Sequence, residues 1–329
     1  MRKIIIVLIA FLLSATGFAQ PTIYANQIGF DLKGPKIAVV SVDKALTRKT
    51  VFNLINSANS EAEFTGVLSG PQTIDEWTPG KSYYSADFSA FKKPGKYSVS
   101  VTIDNKTYTS YPFTIDENAL AKLTISSIIH YYNKQRANTP AELEADSHMH
   151  MIGSDKTVDM RGGWCDASGD VSKYFSHLAY ANLMSPQQTP LVVWSMVSAS
   201  EAIPGLLTKW NIKDSLDNEA LYGADYMMRA LSKDDYFYMI IFSYFNKDPN
   251  ARRIVGLHAN SVTTDEYQCA FREGGGMAIA ALARISQWKK NGEFTAQQYL
   301  DGAKRAFAHL LKYNTKYDDD GKETRAKSK

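Results

Sequence analysis

The hydrophobic period of this chain changes once, near Asp116, and that change limits what it can fold into more than any other feature. Before it lie short strand-like runs: Lys36 to Val42, Thr50 to Leu54, Tyr97 to Val101 and Tyr108 to Tyr111. Turn signals separate them at Lys33-Gly34-Pro35, Ser69-Gly70-Pro71, Thr78-Pro79-Gly80, Lys93-Pro94-Gly95 and Asp104-Asn105-Lys106. Short strands with frequent turns predict an all-β immunoglobulin-like sandwich over residues 21–115, without the usual disulfide. After Asp116 apolar residues recur at helical spacing. Helices are predicted over 119–136, 171–183, 191–203, 215–231, 264–288 and 295–313. The aromatic run from Tyr236 to Phe242 is β-like, and the stretch from 137 to 158 reads as a polar loop.

The first residues carry an address. Arg2-Lys3 is a basic start, Ile4 to Leu13 is apolar, and Thr16 to Ala19 offers small residues for cleavage before Gln20. This predicts a secretory signal peptide over 1–19, with an apolar run too short to span a membrane. The expected location is secreted or periplasmic, with no membrane contact after cleavage. A net charge of +3 with no Lys/Arg stripe argues against a nucleic-acid partner. Cys165 and Cys269 are the two cysteines, and spacing leaves open whether they pair.

One run concentrates the chemistry: Asp159 to Tyr174, with Gly162-Gly163-Trp164-Cys165-Asp166-Ala167-Ser168-Gly169-Asp170 at its centre. Small residues between two carboxylates let the backbone turn sharply and let a substrate come close. Two carboxylates near one point can orient and deprotonate a water. A structural reading stands beside this one. Asp170 can cap a helix beginning at Val171, Asp166 can close an Asx turn, and Trp164 can be core.

The run resembles the Gly-Gly-Trp-Tyr-Asp-Ala-Gly-Asp-Tyr-Gly-Lys-Tyr signature of glycoside hydrolase family 9. Gly162, Gly163, Trp164, Asp166, Ala167, Gly169, Asp170, Lys173 and Tyr174 match it. Cys165 stands where the family usually has an aromatic residue, and Ser168 is an extra residue between the acids. Asn26-Gln27-Ile28-Gly29-Phe30 and Pro94-Gly95-Lys96-Tyr97 resemble the small domain that precedes some family 9 catalytic domains.

The resemblance implies inverting, two-carboxylate hydrolysis of β-1,4-glucosidic linkages in cellulose, xyloglucan or mixed-linkage glucan. Asp170 is then the general base and Asp166 its partner on the attacking water, with Trp164 and Tyr174 as substrate-binding residues. The expected partner is a β-glucan polysaccharide or oligosaccharide; no cofactor and no metal are expected. The family's catalytic domain is an all-α (α/α)6 barrel of twelve helices. Residues 116–329 are therefore expected to hold about its first half, in a C-terminally truncated chain. The family's general-acid Glu lies near the far end of the barrel and has no counterpart here. A non-catalytic glycan-binding or inert fragment is the competing expectation.

Other motifs carry less. His148 and His150 lie in a loop without a third ligand at a set spacing. Gly274-Gly275-Gly276 lacks the strand and the Lys-Ser/Thr of a phosphate loop, and reads as close helix packing or a helix start after a bend. Asp318 to Gly321 lacks the acids a calcium loop needs at its first and last positions.

Overall fold

The computed structural model describes residues 20–74, 76–77, 79–166, 170–176, 188–258 and 262–318. The expected signal peptide, the expected 171–183 helix from residue 177 on, and the residues from 319 on lie outside them. The chain divides into two compact units, one up to Thr124 and one from Ile125.

The first unit is built from Thr22–Tyr24 (β1), Phe30–Asp31 (β2), Ile37–Val42 (β3), Val51–Asn56 (β4), Ala62–Val67 (β5), Ser69–Gln72 (β6), Ser82–Asp87 (β7), Gly95–Ile103 (β8), Lys106–Thr109 (β9) and Phe113–Asp116 (β10). One sheet has the order β1-β3-β7-β6 and the other β2-β10-β8-β4-β5, with β9 against β8. Alternation puts Ala38, Val40 and Val42 of β3, Phe52 and Leu54 of β4, and Tyr97, Val99 and Val101 of β8 into one shared core. This is a sandwich of two sheets, as the alternation predicts. Ser69-Gly70-Pro71, read as a turn, is part of strand β6 instead, because it pairs with β7. The Lys33-Gly34-Pro35 turn is held from within by Lys36. Its buried ammonium donates to the carbonyls of Leu32 (2.9 Å) and Gly34 (3.0 Å).

The second unit is mainly helical. Ala119–Lys134 (α1) leads the chain into it. Then follow Pro140–Ser147 (α2), Met149–His150 (β11), Thr157–Val158 (β12), Lys173–Tyr174 (β13), Thr189–Ala202 (α3), Pro204–Lys209 (α4), Lys213–Ala230 (α5), Ile240–Phe242 (β14), Arg253–His258 (β15), Val262–Thr264 (β16), Gly276–Ile285 (α6) and Ala296–Asp318 (α7). Helix α3 packs on α5 and α6, and α6 on α7. Leu216, Ala220, Ala224 and Met227 of α5 are buried at helical spacing, and meet Val193 and Val197 of α3 in one core. The unit also carries a small sheet, β13-β14-β15-β16.

Three local expectations are corrected. The stretch from Val171 to Ser176 is extended, not helical: β13 pairs with β14, and the Phe175 amide donates to the Met239 carbonyl at 2.9 Å. Its apolar spacing fits either period, and the available partner strand decides. Residues 265–270 are not helical either. They run beside 237–239, with the Met239 amide on Tyr267 O and the Cys269 amide on Phe237 O, both 2.9 Å. A π-helical turn over Phe271–Gly275 follows, kinked where Gly274 holds φ +108°, and the α-helix begins only at Gly276. A Cβ at Gly274 would come within 2.8 Å of Pro190 Cγ, so this glycine joins the bend to α3. Finally, the polar loop after α1 contains α2. Thr139 caps it, and the Glu142 carboxylate accepts from the Thr139 amide in return.

Candidate active site

The approach to the two acids is a backbone ladder. The Ala137 amide donates to Gly163 O (2.9 Å) and the Cys165 amide to Gln135 O (2.8 Å), so residues 163–165 run beside the end of α1. Gly162 and Gly163 both take left-handed backbone, φ +93° and +73°. A Cβ on Gly163 would sit 2.9 Å from the Tyr226 ring, which is why the turn needs glycine there.

Trp164 then points into the core and is 5% exposed. Its indole N–H donates to Glu219 Oε1 at 2.7 Å, and Arg136 grips the same carboxylate through Nε (3.0 Å) and a terminal nitrogen (2.8 Å). Gly223 of α5 makes room for the indole, since a Cβ there would collide with it. Trp164 is thus an anchor for the loop more than an open stacking face. Tyr174, in β13, is 3% exposed.

Asp166 and Asp170 are both partly exposed and belong to one closed loop. The Asp166 amide donates to Ser172 O at 2.9 Å, and the Ser172 amide donates to Asp170 Oδ1 at 2.7 Å. Asp170 therefore closes an Asx turn and caps no helix. Ser172 joins the two acids: its carbonyl holds one and its amide the other. Residues 167–169 lie outside the described residues.

A buried ionic cluster fixes both ends of this loop. Lys173 Nζ donates to Asp146 Oδ2 (2.8 Å) and to the carbonyls of Met160 (2.9 Å) and Gly162 (2.7 Å). Arg252 pairs with the other oxygen of Asp146 at 2.6 Å and donates to Val171 O at 3.3 Å. The side chains of Lys173, Asp146 and Arg252 are wholly buried. Burial lowers the Lys173 pKa and raises that of Asp146, and each ion opposes the effect on the other. Asp146 and Arg252 were not singled out from sequence. The capping box at Thr139 and Glu142 is the signal that would have placed Asp146 on a helix.

A cleft of about 270 Å³ opens beside the loop, lined by Tyr131, Tyr132, Gln135, Trp164, Cys165, Asp166, Tyr174 and Leu191, among others. Asp166, Trp164 and Tyr174 thus meet at one cleft, with Asp170 tied to it through Ser172. Tyr131, at 44% exposure, is its open aromatic ring. A larger cavity of about 700 Å³ is lined by Asn133, Arg136, Glu219, Asp225 and Glu293. Its carboxylates are engaged already: Glu219 by Arg136 and Trp164, Asp225 by the Tyr299 hydroxyl and the Glu293 amide, and Glu293 by Arg229.

Cys165 and Cys269 do not form a disulfide. Cys165 faces Glu142 Oε1 at 3.4 Å; burial and that carboxylate push its pKa up to about 12. The Cys269 thiol is buried and donates to Glu273 O at 3.0 Å. His148 and His150 are exposed, and among the described residues no three ligating side chains gather as a metal site would require.

Residues 122–329 match the sequence model of glycosyl hydrolase family 9, and residues 19–106 that of the cellulase N-terminal ig-like domain. No curated protein matches the chain. Among solved structures, the chain is similar to a metagenome-derived glycoside hydrolase family 9 endoglucanase, with 19% identity and a TM-score of 0.62 over 88% of this chain and 54% of that one. It is similar to the family 9 endoglucanase J30 with 21% identity and a TM-score of 0.61, over 86% of this chain and 53% of that one. For GH9 of Bacteroides ovatus the figures are 21%, 0.60, 89% and 54%. The chain spans about half the length of these solved structures.

Proposed function

This chain belongs to glycosyl hydrolase family 9, and from that membership we propose that its Asp166–Asp170 loop supplies the water-activating side of an inverting β-1,4-glucan hydrolysis. The observation that carries the reading is Ser172, which ties the Asp166 backbone and the Asp170 carboxylate into one loop beside a cleft. In this reading Asp170 is the base that takes the proton from water, and Asp166 holds that water by a second acceptor. The water attacks the anomeric carbon from one face of the sugar. A general acid protonates the leaving oxygen on the other face, about 6.5–9.5 Å from the base in inverting enzymes. Tyr131 offers the cleft an exposed ring against which a pyranose can lie. The substrate class is a β-glucan: cellulose, xyloglucan or mixed-linkage glucan. Export rests on the basic-then-apolar start of the sequence; among the described residues no helix is long and apolar enough to cross a membrane.

Proton NMR of fresh hydrolysate from soluble β-glucans tests the reading. The expected first product carries the α-anomer. A β-anomer means a retaining mechanism and removes the assignment of Asp170 as base. Binding without release of sugar supports the alternative of a glycan-binding protein.

A further inference from the structure

Between β14 and β15 the chain turns through Ser243–Asn246, closed by the Asn246 amide donating to Ser243 O at 3.0 Å. The two central residues, Tyr244 and Phe245, both hold left-handed backbone, with φ of +54° and +60°. Positive φ at both centres is the pattern of a type I′ turn, whose central positions ordinarily go to Asn and Gly because a Cβ is strained there. This chain puts two aromatic residues at them. Their rings stay open to solvent, Tyr244 at 44% and Phe245 at 60% exposure. Both rest against Phe242, with centroids 4.8 and 5.4 Å away. Strained backbone and apolar rings turned to solvent both work against stability, and both are features that gather at ligand sites.

The turn lies at the acid loop. Strands β13 and β14 are antiparallel, with Lys173 opposite Ile241 and Tyr174 opposite Ile240. Asp170 lies two residues before Ser172, and Tyr244 one residue after Ser243. Side chains keep the two segments together on the way. The Ser243 amide donates to Ser172 Oγ at 2.9 Å, and the two hydroxyls lie 3.0 Å apart. Ser172 is the same residue whose amide Asp170 holds.

We propose that Tyr244 and Phe245 form a stacking platform for a pyranose ring of a β-glucan, neighbouring the site of the Asp166–Asp170 pair. The proposal rests on reading that pair as glucan-hydrolysing. A β-linked glucose carries its hydroxyls at the equator and presents a flat C–H face, which fits an exposed aromatic pair. The turn takes that apolar face while the carboxylates address water and hydroxyls next to it.

The test is affinity electrophoresis of the 329-residue chain in gels containing hydroxyethyl cellulose, xyloglucan or mixed-linkage glucan, with thermal melts alongside. Phe245→Ala, Phe245→Leu and Phe245→Trp are compared with the parent. The parent is expected to be retarded by at least one glucan. Phe245→Ala and Phe245→Leu bind it about fivefold to tenfold more weakly, and Phe245→Trp within about twofold of the parent. The leucine variant keeps an apolar side chain and loses only the ring. Equal retardation of parent, Phe245→Ala and Phe245→Leu overturns the platform and leaves the glucan reading standing. A parent retarded by none of the three polymers overturns both.

Discussion

Lys173 and Gly162 are joined by a 2.7 Å hydrogen bond from a buried ammonium to a backbone carbonyl. The bond ties the strand that leaves the acid loop to the glycine turn that leads into it. Asp146 and Arg252 complete the clamp, Arg252 reaching Val171 O. The acids themselves sit at the rim, so their placement depends on a fully buried set of charges beneath them.

Removing one member of such a set leaves its partners buried and unmatched. Lys173→Met, close in length and without charge, is expected to cost about 3–5 kcal/mol of stability, because Asp146 and two carbonyls lose their donor. Urea denaturation measures it. A loss under about 1 kcal/mol would mean that the cluster is not a clamp.

Trp164 gives a prediction that separates anchor from platform. Trp164→Phe keeps a ring and loses the N–H to Glu219. It is expected to cost about 1.5–3 kcal/mol, the usual range for a hydrogen bond to a charged group. Glucan affinity in the folded protein is expected to stay within about twofold of the parent, under the tenfold that 1.4 kcal/mol would give. Loss of affinity with unchanged stability would return Trp164 to the substrate.

The sandwich was legible because alternation and turn residues are local signals, and α3, α5 and α7 because each buries one stripe at helical spacing. The segments after Asp170 and after Thr264 were misread for the same physical reason. Their structure is decided by distant partners: 240–241 for the first, 237–239 for the second. Apolar spacing over six residues does not record such partners. The run that holds Asp166 and Asp170 is legible as a family motif, and their catalytic roles rest on that resemblance. The side chains that fix the acids were not legible, since Asp146 and Arg252 lie far apart along the chain and look like surface charges. Tyr244-Phe245 carries no turn signal, because positive-φ turn positions are ordinarily marked by Asn and Gly.

The Cys165 thiol gives a pH prediction. Its folded pKa, about 12, stands above the ordinary value of 9.0, so the folded state holds the proton more tightly than the unfolded state. The associated stability is present in full below pH 9 and declines as pH rises from there toward about 12. Denaturation midpoints over pH 8–11 are expected to fall more steeply in the parent than in Cys165→Ser. Iodoacetamide at pH 8 is expected to spare Cys165 in the folded chain and to label it in urea. Rapid labelling of the folded chain at Cys165 would contradict the half-buried, carboxylate-facing thiol.

The most direct measurement is the rate of β-glucan hydrolysis by Asp170→Asn against the parent. Asparagine retains an oxygen that can accept from the Ser172 amide, so the loop stays closed while the base is removed. Loss of general-base help is expected to lower kcat by about 10²–10⁴ with little change in KM. Equal rates in the two proteins would contradict the account, because the proton of the attacking water would then be going somewhere else.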